Sequence, residues 1–333
     1  MGLIGAGRMG RVFAQTLAYT VAEVDLVAVA DANAQTSAEV AAHFHVPHHY
    51  GDYRELLKRE DIDAVVVVTP TATHAEVIAA AAAAGKHIFS EKPLAQTLSE
   101  CDAAIQAVER SGVKLQLGFM RRFDAGYQMA KKKIEEGLIG TPVMFHAASR
   151  DPKRTSLEFA RRENSGGLIM DMGVHDFDLA RWLMGSEVVR TYSEGGCLVY
   201  PELNEVGDID NALINLKFAN GALGAIDLSR NAVYGYDIRT EVLGSEGSLL
   251  VGTLQQTPTL MLTRAGVTHD TVPYFMERFG EAYANEIRDF VTCLIEDRPP
   301  SVDAYDARKA TAIGVAATLS LDEGRPVSLD EVQ

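Results

Sequence analysis

The sequence has few cysteines and no long apolar run. Cys101, Cys197 and Cys293 are far apart and match neither a disulfide framework nor a zinc-ligand spacing. Such usage is typical of reduced thiols in a cytoplasm. No apolar stretch reaches the roughly 18 residues that a membrane-spanning helix needs, and no signal peptide precedes the first predicted strand, which starts at Leu3. We therefore expect a cytoplasmic protein that has no membrane partner.

Basic residues are also scarce relative to acidic ones. The chain has 31 Lys and Arg against 46 Asp and Glu, a formal net charge of −15. Nucleic-acid phosphates would be repelled by this charge, and the longest basic run, Lys131 to Lys133, is predicted to be a solvated helix face. With 333 residues and 47% hydrophobic content, the chain is long enough for two globular domains that share one cleft. We expect a small-molecule ligand and no nucleic-acid partner.

A metal site is disfavoured even where histidines cluster. His43, His45, His48 and His49 lie close together, but the segment has no carboxylate or cysteine at ligand spacing. We predict that they lie in a solvated loop entering the third strand, and we expect no metal cofactor.

The first ten residues carry the strongest motif, a short apolar strand followed by Gly5-x-Gly7-x-x-Gly10 and a helical pattern. Gly5 permits the turn, Gly7 lets a pyrophosphate approach the backbone, and Gly10 lets the helix pack on its strand. A second apolar run, Val24 to Ala30, ends in Asp31, where a carboxylate can bind the hydroxyls of an adenosine ribose. The alternative is a glycine-rich turn of another α/β protein. The pattern predicts a dinucleotide site that includes Gly5, Ala6, Gly7, Arg8, Met9, Asp31 and Ala32.

Residues 1 to 118 alternate between strand and helix patterns, which predicts a parallel, doubly wound Rossmann domain. Loops at the carboxyl ends of such strands line the ligand crevice. One such loop follows the apolar run Ala64 to Val68, and another follows His87 to Ser90. For Lys92 the alternative is a solvated loop lysine. These two loops add the predicted cofactor contacts Thr69, Pro70, Thr71, His74, Glu91 and Lys92.

Residues 119 to 333 have a different pattern of predicted secondary structure, since several strand patterns are joined by turns such as Ala219-Asn220-Gly221. This predicts an α+β domain with a large, mostly antiparallel open sheet. A helix over about Gly173 to Met184 can cover one face, and the other face can pair with another subunit. The C-terminal helical segment can pack back on the first domain.

A carboxylate and an imidazole are predicted to share one helix face. If a helix begins near Asp171, then Asp171, His175 and Leu179 stack at i, i+4 and i+8. Oxidation of a secondary alcohol needs a base for the hydroxyl proton, and histidine, with an ordinary pKa of about 6.5, suits that work. A lysine can stabilise the alkoxide-like oxygen. The alternatives are a helix cap for Asp171 and a core histidine for His175.

Four motifs, in order and spacing, resemble the glucose-fructose oxidoreductase/inositol dehydrogenase (Gfo/Idh/MocA) family. They are Gly5-x-Gly7-x-x-Gly10, Thr69-Pro70-x-x-x-His74, Glu91-Lys92-Pro93 and Gly166-Gly167-x-x-x-Asp171-x-Gly173-x-His175. Two further segments, Gly118 to Asp124 and Tyr234 to Asp237, are most similar to inositol 2-dehydrogenases. The resemblance implies that Lys92, Asp171 and His175 form a catalytic set. It also implies that Arg122 and Tyr236 lie near the substrate and that open sheets pair in a homotetramer or dimer.

The favoured function is therefore NAD-dependent oxidation of a secondary hydroxyl of a cyclic polyol, with myo-inositol giving its 2-keto product. Asp31 would repel the 2′-phosphate of NADP, and Ala32 offers that phosphate no partner, so we expect NAD. Alternatives are a pyranose dehydrogenase or reductase and a non-catalytic dinucleotide sensor, although a sensor needs no proton acceptor. Met172 is expected to narrow the pocket, which makes another inositol isomer or a pyranose a rival substrate. The predicted substrate contacts are Lys92, Met120, Arg122, Asp151, Asp171, Met172, His175 and Tyr236.

Overall fold

The computed structural model describes residues 1–332 and divides into two compact units. The first unit consists of Met1–Met120 and Glu281–Thr311. The second consists of Arg121–Gly280 and the chain from Ala312 onward.

The first unit contains a six-stranded parallel sheet in the order β3-β2-β1-β4-β5-β6. This is the strand order of a Rossmann fold, so the predicted doubly wound domain is confirmed. Its strands are β1 (Gly2–Ile4), β2 (Ala28–Ala30), β3 (His48–Tyr50), β4 (Ala64–Val67), β5 (His87–Glu91) and β6 (Leu115–Gly118). Its helices are α1 (Arg8–Tyr19), α2 (Ala34–His43), α3 (Tyr53–Leu57), α4 (His74–Ala83) and α5 (Leu98–Ser111).

Two local features of this sheet differ from what the sequence pattern indicated. The strand β2 covers only the last three residues of the apolar run Val24 to Ala30; the Val24 N–H donates to the Val21 carbonyl in a turn, and the Val27 N–H donates to the Met1 carbonyl just before β1. His48 and His49 do not lie in a loop but in the edge strand β3, where both side chains are exposed. Among residues 1–332, no group of three or more His, Cys, Asp and Glu residues is arranged to hold a metal ion.

The second unit contains a seven-stranded sheet in the order β12-β11-β7-β10-β9-β8-β15. Only β7 and β10 pair in parallel, so the predicted mostly antiparallel sheet is confirmed. These strands are β7 (Pro142–Arg150), β8 (Val188–Gly196), β9 (Asn211–Phe218), β10 (Leu223–Ser229), β11 (Asp237–Gly244), β12 (Ser248–Val251) and β15 (Val327–Ser328). A separate hairpin consists of β13 (Gln255–Thr263) and β14 (Gly266–Thr271).

Within residues 1–332, six further α-helices are α6 (Ala125–Glu135), α7 (Leu157–Ala160), α8 (Arg162–Ser165), α9 (Gly167–Met184), α10 (Phe275–Ile295) and α11 (Ala304–Glu323). Helix α9 contacts β7 and β10 and lies almost wholly buried on the sheet. None of the helices within residues 1–332 combines the length and apolar character needed to cross a bilayer.

Helix α9 begins at Gly167, several residues before the predicted start. Gly166 and Gly167 both have φ +78°, a left-handed conformation that favours glycine. The Asp208 carboxylate accepts a hydrogen bond from the Leu168 N–H at 2.8 Å and so satisfies a donor in the first turn. Asp171 therefore lies about one turn inside the helix and is not its N-cap.

Candidate active site

The turn after β1 has the geometry that a dinucleotide pyrophosphate requires. Gly5 has φ +101°, and a Cβ there would lie 2.6 Å from the Val68 carbonyl oxygen. A Cβ on Gly10 would lie 2.2 Å from the Gly5 carbonyl oxygen, so only glycine lets α1 pack this closely. Around Gly7, the N-cap of α1, a Cβ would meet no side chain or backbone of residues 1–332 within 4 Å beyond Gly7 itself, its chain neighbours and the adjacent helix backbone. The helix N-terminus is therefore open to an anion, which fits NAD.

Asp31, directly after β2, is fixed against this turn. Its Oδ2 accepts a hydrogen bond from the Ala6 N–H at 2.8 Å, and its Oδ1 accepts one from the Asn33 N–H at 2.9 Å. The carboxylate is thus oriented by backbone donors and lies next to the glycine turn. This is where a ribose-binding carboxylate is expected in a Rossmann fold.

His74 joins the two predicted cofactor loops of the first unit. Its side chain is buried, with Nδ1 2.8 Å from the Pro93 carbonyl oxygen and Nε2 2.8 Å from the Thr69 carbonyl oxygen. Burial lowers the pKa of His74, against the opposing effect of these two carbonyl groups. His74 therefore holds the loops in place, and its direct contact with the cofactor stays a prediction.

Lys92 follows β5 at the carboxyl edge of the parallel sheet, and the Lys92–Pro93 peptide bond is cis. The Lys92 N–H donates to Glu91 Oε2 at 3.1 Å. The Glu91 side chain lies against Gly118 of β6, since a Cβ on Gly118 would be 3.3 Å from Glu91 Cδ. The backbone around Lys92 is thus tied to the sheet.

A second buried carboxylate, Glu286 of α10, lies near Glu91 and is a feature that the sequence did not reveal. Among residues 1–332, neither carboxylate oxygen of Glu286 has a hydrogen-bond partner. Burial raises the pKa of Glu286, and the charge of Glu91 raises it further. Burial also raises the pKa of Glu91, against the opposing charge of Lys92. Ionisation of both buried carboxyl groups is unfavourable because the two negative charges repel each other, so a proton is expected on one of them at neutral pH.

In the second unit, α9 carries Asp171 and His175 four residues apart, which is the spacing that places two side chains on one helix face. His175 is 8% exposed, whereas the Asp171 side chain is 20% exposed. A partly accessible carboxylate beside a nearly buried imidazole is an arrangement suited to proton transfer from a bound alcohol.

Two buried ion pairs anchor α9 to the segment that follows Met120. Arg121 Nη1 donates to Asp176 Oδ1 at 2.6 Å, and Arg122 Nε donates to Asp178 Oδ2 at 2.8 Å. Burial raises the pKa of Asp176, and Arg121 opposes this rise. Because Arg122 is itself only 6% exposed, its observed contacts position the helix, and its predicted contact with substrate stays a prediction.

The other predicted substrate residues differ in how far their side chains are exposed to solvent. Tyr236 is 6% exposed and packs edge-on against Tyr274 and Phe279; its burial raises its pKa, against the opposing charge of Arg121. Asp151 is half-buried, and its N–H donates to the Ser229 carbonyl oxygen at 2.8 Å. The side chains of Met120 and Met172 are buried. The substrate contacts of these residues stay predictions.

Arg230 is the charged residue next to Asp171 that sequence reasoning missed. Its Nη2 donates to Asp171 Oδ2 at 3.2 Å, and its side chain is 1% exposed. The sequence offered no signal, since an arginine after a strand is ordinarily solvated.

Comparisons with known proteins match both parts of the chain. Residues 1–119 match the family model described as "Oxidoreductase family, NAD-binding Rossmann fold". Residues 131–329 match the model described as "Oxidoreductase family, C-terminal alpha/beta domain". The predicted NAD-binding Rossmann domain of an oxidoreductase is thereby confirmed.

Several relatives extend over nearly the whole chain. It is 40% identical to scyllo-inositol 2-dehydrogenase (NAD(+)) of Bacillus subtilis, with 98% of this chain and 95% of the relative covered. It is 38% identical to myo-inositol 2-dehydrogenase of Thermotoga maritima, with 100% and 99% covered. A crystal structure of scyllo-inositol dehydrogenase from Lactobacillus casei, with bound NAD(H) and scyllo-inositol, superposes with a TM-score of 0.94 at 29% identity, covering 99% of this chain and 98% of that one.

Proposed function

Because the chain belongs to the glucose-fructose oxidoreductase/inositol dehydrogenase family, we propose that it oxidises one secondary hydroxyl of a cyclic polyol with NAD. The favoured reaction is myo-inositol to its 2-keto product. The observation that carries this proposal is the Asp171 and His175 face of α9, in a chain 38 to 40% identical to inositol 2-dehydrogenases.

The proposed chemistry divides between proton and hydride. His175 accepts the proton of the reacting hydroxyl while the C–H bond of the same carbon breaks and the C=O bond forms. NAD, when bound, accepts the hydride. Asp171, as the neighbouring carboxylate, favours the positively charged imidazole that results. Lys92, which the family resemblance adds to the set, stabilises the negative charge that develops on the substrate oxygen.

A polyol panel tests this function. Purified protein with NAD is expected to form NADH with myo-inositol or scyllo-inositol and to give none with simple aliphatic alcohols, which leave the polar groups of the site unpaired. Glucose tests the second candidate, a pyranose dehydrogenase. If NAD is reduced by glucose alone, the sugar reaction replaces the inositol reaction; if NAD binds and no member of the panel reduces it, a dinucleotide sensor is favoured.

Met172 is expected to influence the choice among these substrates. Methionine is larger and less polar than threonine, so Met172→Thr should widen the pocket and change the ranking of kcat/KM for myo-inositol, scyllo-inositol and glucose. Met184→Thr is the matched control, because Met184 is also buried on α9 but lies at its far end. An unchanged ranking in Met172→Thr would show that Met172 does not shape the pocket.

The large sheet of the second unit is the proposed subunit interface. One face of this sheet carries three apolar side chains in a row, Leu243, Met144 and Leu223. They are aligned across neighbouring strands because Met144 pairs with both leucines. All three are exposed, by 40%, 36% and 48% respectively. A contiguous exposed apolar strip of this kind favours association. We propose that the protein forms a homo-oligomer, a tetramer or a dimer. We also propose a location in the cytoplasm, where the free cysteines stay reduced.

Light scattering after size exclusion tests the interface. The wild type is expected to run as a tetramer or dimer, and Leu223→Glu should shift the population to a smaller species, because the substitution places a charge in the apolar strip. Leu138→Glu is the matched control on an exposed leucine outside the sheet. A monomeric wild type, or equal masses for all three proteins, would remove this face as the interface.

A further inference from the structure

Arg230 is a fully buried arginine at the end of a sheet strand. It directly follows β10, its side chain is 1% exposed, and its N–H donates to the Asp210 carbonyl oxygen at 2.9 Å. A buried guanidinium is unfavourable unless anionic partners compensate its charge. The carboxylates beside Arg230 therefore stabilise its guanidinium in the protein interior.

Two carboxylates supply that compensation. Arg230 Nη2 lies 3.2 Å from Asp171 Oδ2 and 3.9 Å from Asp208 Oδ2. Asp208 in turn binds the Leu168 N–H through Oδ1. One guanidinium thus links the carboxylate that caps the start of α9 to the proposed catalytic carboxylate one turn further along.

The positive charge of Arg230 is part of the electrostatics of this cluster. Burial raises the pKa of Asp208, and the charge of Asp171 raises it further. The N–H groups of Leu168 and Ile209 and the charge of Arg230 lower it. The other cation near Asp208, Arg162 of α8, is engaged with Asp322 at 2.8 Å. His175 lies one turn from Asp171 on α9, and Asp178, about one turn further along, is engaged with Arg122. Without Arg230, two close carboxylates would face each other and take up a proton more readily.

We propose that Arg230 is a positioning residue for Asp171: its buried guanidinium fixes the carboxylate on α9 and compensates its charge. This inference rests on the proposed function, in which Asp171 acts beside the reacting alcohol.

Arg230→Met is the informative variant, because methionine fills much of the space and removes the charge. We expect kcat to fall by about 10- to 100-fold, the loss typical of a displaced catalytic group, with KM and the Kd for NADH nearly unchanged. The acid limb of the pH profile of kcat, which His175 is proposed to set, should move to higher pH, because the helix face that carries His175 loses a positive charge and the protonated imidazole becomes more favourable. Arg230→Lys should restore the position of that limb and part of kcat.

Arg181→Met is the matched control. Arg181 is a buried arginine at the other end of α9, where it donates to Glu187 at 2.6 Å. This variant is expected to lower stability without moving the acid limb. If Arg230→Met lowers kcat with the acid limb unmoved, as a purely structural loss would, the positioning role is overturned.

Asp208→Asn tests the route by which Arg230 acts, and it remains informative if Arg230→Met does not fold. It removes the second carboxylate and leaves the contact between Arg230 and Asp171. The proposal predicts a kcat within a few-fold of wild type and an acid limb that does not move to higher pH. A loss of kcat as large as that of Asp171→Asn would assign the effect to the helix cap and overturn the proposal.

A double-mutant cycle separates this inference from the proposed function, because it needs no substrate. Urea unfolding of wild type, Asp171→Asn, Arg230→Met and the double variant should give strongly non-additive changes in unfolding free energy if the two side chains interact. Non-additivity in a protein that oxidises no polyol would refute the function and support the contact. Additive changes would overturn the positioning role whatever the substrate.

Discussion

His175→Ala is expected to lower kcat for polyol oxidation by about 100- to 10,000-fold, the usual contribution of a general base. The Kd for NADH should change little, because the imidazole is proposed to act on the alcohol and not on the dinucleotide. Steady-state kinetics and NADH fluorescence titration measure the two quantities. Activity of the wild type should also fall on the acid side, where an imidazole base is protonated.

The control for this substitution is His269→Ala, which removes an exposed histidine from the β13–β14 hairpin and should leave kcat unchanged. Lys92→Ala and Asp171→Ala should each lower kcat by orders of magnitude with the same retention of NADH binding. Near-wild-type turnover in His175→Ala would remove His175 as the base, even if the polyol reaction itself is observed.

The second large effect is expected in cofactor choice. The Asp31 carboxylate is held by the Ala6 and Asn33 N–H groups, so it cannot easily turn away from a 2′-phosphate placed beside it. Two like charges about 4 Å apart repel by up to a few kcal/mol near a protein surface, which corresponds to a preference for NAD of about 100-fold or more in kcat/KM.

Asp31→Ser with Ala32→Arg should reverse this preference toward NADP, because serine removes the charge but keeps an acceptor oxygen, and arginine supplies a phosphate partner. Asp61→Ser, which removes an exposed carboxylate elsewhere in the same unit, is the control and should leave the preference unchanged. Equal kcat/KM for NAD and NADP in the wild type would show that Asp31 does not select the cofactor.

Local chemistry explains which features could be predicted from the sequence. The glycine turn follows from backbone geometry, since Gly5 has a positive φ and Gly10 approaches the Gly5 carbonyl too closely for a side chain. The start of α5 is encoded equally locally, because Thr97 and Glu100, three residues apart in the sequence, form a reciprocal capping box.

Features that depend on distant partners were missed. The early start of α9 is stabilised by Asp208, which lies 40 residues away from Leu168 along the chain. The burial of Arg230 and of Glu286 follows from tertiary packing, and no sequence period identifies a charged residue as buried.

The most direct test of the proposed hydride transfer uses myo-inositol deuterated at all six ring carbons. After reaction with NAD, mass spectrometry of both products should show one deuterium gained by the reduced nicotinamide for each ring ketone formed and one deuterium lost from that ring. Ketone formation without deuterium on the nicotinamide, or no ketone from any inositol isomer, would contradict the proposal.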